Sequence, residues 1–171
     1  DICLIPWICD DNYEHSINEI ENSKAQIALG HLEIKGFEMH SGHMNMQGLE
    51  KSMFHRFEKV LSGHFHKKSD DGHVYYLGTQ YEITWSDYRC PKGFHIFDTE
   101  TRELTRVPNP MRIHKKLIYN DKDNDYLNMD LSQFKDTFVK VFVTNKTNEE
   151  MFNNLIDRLH NTIDTHEVNI I

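Results

Sequence analysis

The sequence lacks the features of a membrane protein, of a disulfide-bonded protein and of a basic nucleic-acid-binding protein. No apolar run approaches the roughly eighteen residues that a membrane-spanning helix needs. Cys3, Cys9 and Cys90 are an odd number of cysteines without C-x-x-C spacing, which argues against a disulfide framework and a cysteine zinc site. The net charge of −8 argues against a general binder of polyanions. We therefore expect a reducing, cytoplasmic setting.

The chain does contain enough apolar sequence to bury a core. Of its 171 residues, 38% are hydrophobic and 27% are charged, which suits one globular domain or one domain with a small appendage. The first residue is Asp1 rather than Met, and an apolar run of strand length follows at once. We therefore expect a piece cut from a longer protein.

The beginning of the chain alternates between strand-like and helix-like patterns. Residues 2–7 and 25–29 are apolar runs of strand length, and residues 13–20 between them have apolar positions at helical spacing. This order is typical of a βαβ unit and predicts a layered α/β sandwich. Ligands in such sheets bind at the carboxyl ends of strands, which is where His31 falls.

A Gly-His-x-His sequence follows the next strand-like run, at residues 60–61. Because side chains alternate between faces along an extended chain, His64 and His66 are expected to point the same way. Two imidazoles on one face suit a metal ion, and Gly63 lets the backbone come close to it. The alternative is an incidental pair of surface histidines, but Gly30-His31 at another strand end favours the metal site.

Residues 33–48 lack clean periodicity and are predicted to form a long loop. His40 and His43 lie in it without a rigid mount, so surface histidines are the simpler interpretation. Apolar residues at helical spacing then predict a short amphipathic helix over 49–57.

The second half of the sequence divides at a pair of prolines. Pro108 and Pro110 indicate a junction, with domains at 1–107 and 108–171. An Asp-Asp-Gly turn at 70–72 predicts a hairpin. Further predicted strands are 74–77, 93–98, 104–107, 117–119, 138–144 and 168–171, with a helix capped at 147–150.

Basic residues concentrate in one stretch despite the acidic net charge. Between residues 102 and 116 there are five Lys and Arg residues and one acid, Glu103. This stretch predicts phosphate contacts, although a solvated surface has the same pattern. The five basic residues are Arg102, Arg106, Arg112, Lys115 and Lys116.

The order and spacing of these motifs resemble the calcineurin-like metallophosphoesterases over residues 1–107. Within that superfamily the chain is most similar to SbcD-type nucleases of double-strand-break repair, and among these to the recombination endonuclease subunits of T-even phages. The motifs that carry the resemblance are Ala28-Leu29-Gly30-His31-Leu32, Leu61-Ser62-Gly63-His64-Phe65-His66, Tyr76-Leu77-Gly78-Thr79 and Lys92-Gly93-Phe94. The fold that it implies is a partial metallophosphoesterase β-sandwich with flanking helices, followed by a small α/β capping domain.

The resemblance implies a centre with two divalent metals, usually Mn²⁺, with Mg²⁺ as the other possibility. His31 and His64 would bind one metal and His66 the other. The family takes its remaining ligands from D-x-H, G-D and G-N-H motifs earlier in the chain. No D-x-H precedes Gly30, and neither G-D nor G-N-H occurs anywhere. We therefore expect an incomplete centre, no certain catalytic residue and no activity from the chain alone.

The resemblance also implies partners. They are DNA, an SbcC-type SMC-like ATPase subunit and a second copy in a homodimer, with no membrane, in the host cytoplasm if a phage encodes the chain. The function would be that of a DNA exo/endonuclease subunit in recombination and repair, with Lys67, Lys68 and the 102–116 stretch as phosphate contacts. The alternatives are a non-catalytic DNA-binding or assembly module, and a metallophosphoesterase for another phosphoester.

Overall fold

The computed structural model describes residues 1–40 and 42–171, and for His40 it describes the backbone alone. The chain divides into two compact units, Asp1–Pro110 and Met111–Ile171. The fold is mixed α/β, as the sequence predicted. No helix in the described part of the chain is long and apolar enough to cross a membrane.

The described part of the first unit contains nine strands and one α-helix. Its main sheet has five strands, and β6 is antiparallel to β7 while the other pairings are parallel, in the order β1-β2-β5-β7-β6. Its elements are β1 (Ile2–Ile5), α1 (Tyr13–Asn22), β2 (Ile27–Gly30), β3 (Glu38–His40), β4 (His43–Met44), β5 (Lys59–Ser62), β6 (Ser69–Asp70), β7 (Val74–Tyr76), β8 (Lys92–Phe97) and β9 (Leu104–Asn109).

The core of the first unit lies on one side of the main sheet. Ile20 of α1 is fully buried there with Val60 and Val74 of the sheet. On the other side, Leu4 and Leu29 are register partners and are 72% and 37% exposed. This second face is partly covered, since Ile27 and Leu61 on it are buried while Leu4 and Leu29 stay exposed.

Two hairpins of the first unit follow the predicted pattern. The turn at residues 70–72 joins the antiparallel pair β6–β7, as predicted. Strands β8 and β9 form the second predicted hairpin, with Gly93 opposite Pro108. Pro108 lies within β9, where a two-stranded sheet leaves an edge that tolerates a residue without an N–H donor.

Two predictions for the first unit were wrong. The stretch predicted as one long loop contains the short hairpin β3–β4, which has only a few alternating residues and so gives a weak pattern. The helix predicted over 49–57 is only a 3₁₀ turn, Lys51–Phe54. Phe54 and Phe57 are both buried, and their spacing of three suits a 3₁₀ turn as well as an α-helix.

The second unit is a three-stranded parallel sheet covered by a helix. Its elements are β10 (His114–Asn120), β11 (Phe138–Asn145), α2 (Glu149–Asp157), which continues as a π-helical turn over Arg158–Thr162, and β12 (Glu167–Ile170). The predicted cap is confirmed, since the Asn148 side chain accepts a hydrogen bond from the Met151 N–H at 3.0 Å. Phe152 and Leu155 of α2 pack with Val139 and Val141 in its core.

Candidate functional site

His31 and His64 meet at the carboxyl ends of two neighbouring parallel strands. Strands β2 and β5 pair so that Gly30 lies opposite Ser62. Each histidine comes shortly after its strand, and the two ring centroids are 5.0 Å apart in an edge-on arrangement at 84°. The structure thus brings together two of the three histidines that the sequence singled out.

A buried hydrogen-bond network holds the segment that carries His31. The Ser62 hydroxyl accepts from the Leu32 N–H at 2.9 Å and donates to the Leu32 carbonyl at 3.1 Å. The Tyr76 hydroxyl also donates to the Leu32 carbonyl, and it accepts from the Ile34 N–H at 2.8 Å. Burial raises the pKa of Tyr76 to about 12, so its hydroxyl stays protonated and can donate.

The close approach of strands at this point requires a glycine. A Cβ on Gly30 would lie 2.8 Å from the Ile5 carbonyl oxygen and 3.1 Å from the Leu32 side chain. Because a backbone oxygen cannot move aside without breaking the β1–β2 pairing, a larger residue at Gly30 would displace His31. The Gly-His pattern is therefore a packing requirement as well as a site signature.

Trp7 contacts both histidines. It follows β1, and the strand order brings the ends of β1, β2 and β5 side by side. Its ring centroid is 5.4 Å from that of His31 and 5.1 Å from that of His64. Sequence reasoning assigned no functional role to Trp7, because only the sheet order shows which strand ends are neighbours.

His64 has a buried ring nitrogen and a lowered pKa. Its Nδ1 is buried and has no hydrogen-bond partner in the described part of the chain. Burial lowers the pKa of His64, and the neighbouring His31 lowers it further. A neutral imidazole with an unsatisfied buried nitrogen fits a metal ligand, since metals bind the deprotonated nitrogen.

His66 points to a different partner, Asp87. The His66 Nδ1 lies 3.1 Å from Asp87 Oδ2, and the His66 side chain remains 38% exposed. Asp87 ends the 3₁₀ turn Trp85–Asp87, for which the sequence made no prediction. The same carboxylate accepts a 2.7 Å hydrogen bond from the Nζ of Lys92, which is fully buried.

The charge on Asp87 is stabilised within the protein. Burial alone would raise the pKa of Asp87, but hydrogen bonds from Lys92 and from the Thr84 and Ile83 N–H groups hold it well below its usual value. Asp87 is therefore an ionised hydrogen-bond acceptor at neutral pH. Carboxylates of this kind often orient a metal-binding histidine.

Two cavities adjoin the histidines. The larger, of about 560 Å³, is lined by His64, His66, Asp87, Lys67 and Arg89, among others. The smaller, of about 180 Å³, has Trp7, His31 and Glu33 in its wall. The site is thus open to a ligand on both sides of the histidine pair.

The side chains present fit the imidazole part of a metal centre. The unsatisfied His64 Nδ1, and a His66 ring bound to a carboxylate through one nitrogen, are the observations that support this fit. Among the side chains of residues 1–39 and 42–171, no group of three or more His, Cys, Asp and Glu is arranged to hold a metal ion. In that part of the chain, no carboxylate therefore joins two of these histidines in a common set of metal ligands.

Comparison with known proteins identifies relatives of the chain. It is 36% identical over 143 residues to exonuclease subunit 1 of Enterobacteria phage T4, an alignment that covers 84% of this chain and 41% of that protein. The chain is a homologue of SbcD-type nuclease subunits. The SbcD subunit of the SbcCD nuclease of Staphylococcus epidermidis is 26% identical over 121 residues, and that of Staphylococcus saprophyticus is 22% identical over 112.

The resemblance found in the motifs is thereby confirmed. No protein-family model matches the chain. The S. epidermidis alignment covers 60% of this chain and 32% of the relative, and the S. saprophyticus alignment covers 61% of this chain and 29% of the relative. The chain therefore spans about two fifths or less of the length of the curated relatives that it matches.

The lysines beside the histidines are held in ion pairs in this SbcD-type homologue. Lys67 Nζ lies 2.5 Å from Glu38 Oε2, and Lys68 Nζ lies 2.8 Å from Asp70 Oδ2. Lys67 nevertheless lines the larger cavity. Their contact with DNA stays a prediction, and it would require a phosphate to compete with these carboxylates.

The basic stretch is divided between the two units. In the first unit, Arg102 pairs with Glu58 at 3.0 Å, and Arg106 donates to the Pro91 carbonyl at 2.9 Å. In the second unit, Lys116 lies over the Phe142 ring, while Arg112 and Lys115 are half-buried. The junction between the units falls within the basic stretch, between Pro110 and Met111.

Proposed function

We propose that the chain is part of a manganese-dependent DNA nuclease subunit of the calcineurin-like metallophosphoesterase class. The observation that carries the proposal is the edge-on contact of His31 and His64 at neighbouring strand ends, with His66 beside them. The T4 and Staphylococcus relatives, named as exonuclease and nuclease subunits, support the reaction class.

Divalent ions bound here would supply Lewis-acid stabilisation of phosphoryl oxygens and an activated water. The residues of the chain would hold them and shape the site. His31 and His64 offer ring nitrogens from two strand ends whose spacing is set by the sheet register. Trp7 covers the pair on one side, and His66 is oriented by Asp87.

We further propose that these residues do not complete a two-metal centre by themselves. Such a centre needs carboxylate ligands, and the sequence has no D-x-H ahead of Gly30 and no G-N-H. The chain alone would then bind metal weakly and would not cleave DNA. Both features follow from the same cause, the lack of the carboxylate ligands that the missing motifs would supply.

The second unit would serve as a capping domain. It has its own sheet, helix and core, which suits a module added to a nuclease domain. The Staphylococcus relatives are named as the SbcD subunits of an SbcCD nuclease, which indicates a complex with a second kind of subunit. We propose an SMC-like ATPase in that role, a homodimer of the nuclease subunit, and action in recombination and double-strand-break repair in the cytoplasm.

Manganese binding tests the proposed centre. We expect the purified chain to bind Mn²⁺, measured by electron paramagnetic resonance of the free ion, and His64→Ala to weaken binding at least about tenfold. His15→Ala, which removes an exposed histidine of α1, is the matched control and should bind normally. Equal binding by the wild type and His64→Ala would contradict the metal centre.

A nuclease assay tests the expected lack of activity. End-labelled duplex DNA with Mn²⁺ should remain intact when only the 171-residue chain is added. Robust cleavage that His64→Ala abolishes would show that the chain completes its own centre. Cleavage of a small phosphoester but not of DNA would instead favour the alternative metallophosphoesterase.

A further inference from the structure

An almost fully enclosed ion pair lies directly behind His66. Asp87 is 3% exposed and Lys92 is 2% exposed, with Lys92 Nζ 2.7 Å from Asp87 Oδ1. Burying two charges carries a large desolvation cost, and apolar residues of similar size often serve stability equally well. Stability alone therefore does not explain why both residues are charged, and their contacts with neighbouring residues matter.

Both oxygens of the Asp87 carboxylate have defined partners. Oδ1 accepts from Lys92, while Oδ2 accepts from the Ile83 and Thr84 N–H groups at 3.0 Å each and lies 3.1 Å from His66 Nδ1. Lys92 has a second contact, a 3.0 Å hydrogen bond to the His66 carbonyl oxygen. The pair thus holds the backbone and the ring of His66 together.

This arrangement determines which ring nitrogen of His66 carries the proton. An ionised carboxylate can only accept hydrogen bonds, so Nδ1 must be the donor. The neutral ring then has its lone pair on Nε2, at the opposite edge from Asp87. Since the His66 side chain is 38% exposed and lines the 560 Å³ cavity, that edge is where a ligand can approach.

We propose that Asp87, held in place by Lys92, is a positioning residue that keeps His66 in the Nδ1–H tautomer and leaves Nε2 free to bind a ligand. The identity of that ligand as Mn²⁺ rests on the proposed function, whereas the tautomer does not. Carboxylate–histidine–metal arrangements use the same chemistry, in which the carboxylate fixes ring orientation and raises the basicity of the metal-binding nitrogen.

The tautomer is directly measurable in the metal-free chain. Two-bond ¹H–¹⁵N correlation spectra at about pH 8, where an ordinary histidine is neutral, distinguish Nδ1–H from Nε2–H rings. We expect His66 to show the Nδ1–H pattern, although a free neutral histidine prefers Nε2–H. An Nε2–H pattern, or a mixture of both forms, would overturn the proposal whatever any variant does.

A double variant separates positioning from folding. Asp87→Ala with Lys92→Met removes both charges, so that no unpaired ammonium is left inside the protein. We expect a folded protein whose His66 changes to the Nε2–H form. Asp98→Ala is the matched control, because Asp98 also accepts backbone hydrogen bonds in a turn, from Glu100 and Thr101. A folded double variant that keeps the Nδ1–H form overturns the proposal.

Titration with Mn²⁺ distinguishes this proposal from the proposed function. We expect paramagnetic broadening of the His66 signals in the wild type, and about 10- to 100-fold more Mn²⁺ for the same broadening in the double variant. If the wild type shows the Nδ1–H tautomer but Mn²⁺ leaves His66 unchanged, the metal centre is refuted while the positioning role of Asp87 is supported.

Discussion

The carboxyl ends of the parallel strands are used in opposite ways in the two units. In the first unit they present His31 and His64, and the His64 Nδ1 lacks a partner among the described residues. In the second unit, Asp121 follows β10 and accepts hydrogen bonds from the Thr147 and Asn148 N–H groups ahead of α2. Among the described residues, the first sheet edge keeps a buried nitrogen without a partner, as a ligand site would require, while the carboxylate at the second is satisfied by backbone N–H groups.

A parallel sheet therefore does not by itself make a site. Both units place polar residues where strands end, as α/β topology favours. What separates them is whether those residues meet backbone N–H groups that satisfy them, as Asp121 does, or other side chains that leave a ring nitrogen without a partner among the described residues, as at His64. The following predictions test that contrast, in order of decreasing effect.

The buried ion pair of the first unit should contribute strongly to its stability. Lys92→Met leaves the Asp87 charge inside the protein without its ion-pair partner, so we expect a loss of about 3–5 kcal/mol in the free energy of unfolding. Both tryptophans, Trp7 and Trp85, lie in the first unit, so urea unfolding followed by tryptophan fluorescence reports on it. A loss below about 1 kcal/mol would mean that the buried charges are not coupled as described.

Removal of the Tyr76 hydroxyl should have the next largest effect on the free energy of unfolding. Tyr76→Phe leaves the buried Ile34 N–H without its acceptor, so we expect a loss of about 1–3 kcal/mol by the same fluorescence measurement. Tyr75→Phe is the matched control, since its hydroxyl bonds to the Gly72 carbonyl at the surface and should matter little. Similar losses in both variants would contradict the role given to the Leu32–Ser62–Tyr76 network.

The smallest effect on stability is expected from the Asp121 carboxylate, and it should depend on pH. Burial alone would raise its pKa, but hydrogen bonds from Asn148, Thr147 and Asn145 lower it to about 2, below the ordinary 3.8. Its ionised form therefore stabilises the fold above pH 3.8, and this contribution is lost as the pH falls towards 2.

Asp121→Asn should remove that pH dependence. Urea titrations followed through the amide signals of Val139 and Val141 should show less acid destabilisation than in the wild type between pH 3.8 and 2. The first unit, followed by tryptophan fluorescence, serves as the internal control and should behave alike in both proteins. An unchanged pH dependence in the second unit would contradict this assignment.

The sequence revealed the parts of the fold that have local signals. Gly30-His31 and Gly63-His64 mark strand ends because short apolar runs precede them, and at Gly30 the close packing also requires a glycine. The cap at Asn148 is likewise local, a polar side chain satisfying an N–H three residues later. The helix predicted over 49–57 failed because two phenylalanines three residues apart fit a 3₁₀ turn as well.

The amino-acid pattern alone was enough to predict the alternation of strands and helices, the histidines of the site and the relationship to SbcD-type nucleases. The folded structure was needed to show that Trp7 lies against both histidines and that Asp87 and Lys92 support His66. These contacts join residues 21 to 57 positions apart in the chain. Periodicity reports which face of an element is buried, whereas the partner that a buried charge finds depends on strand order and register, which no local pattern encodes.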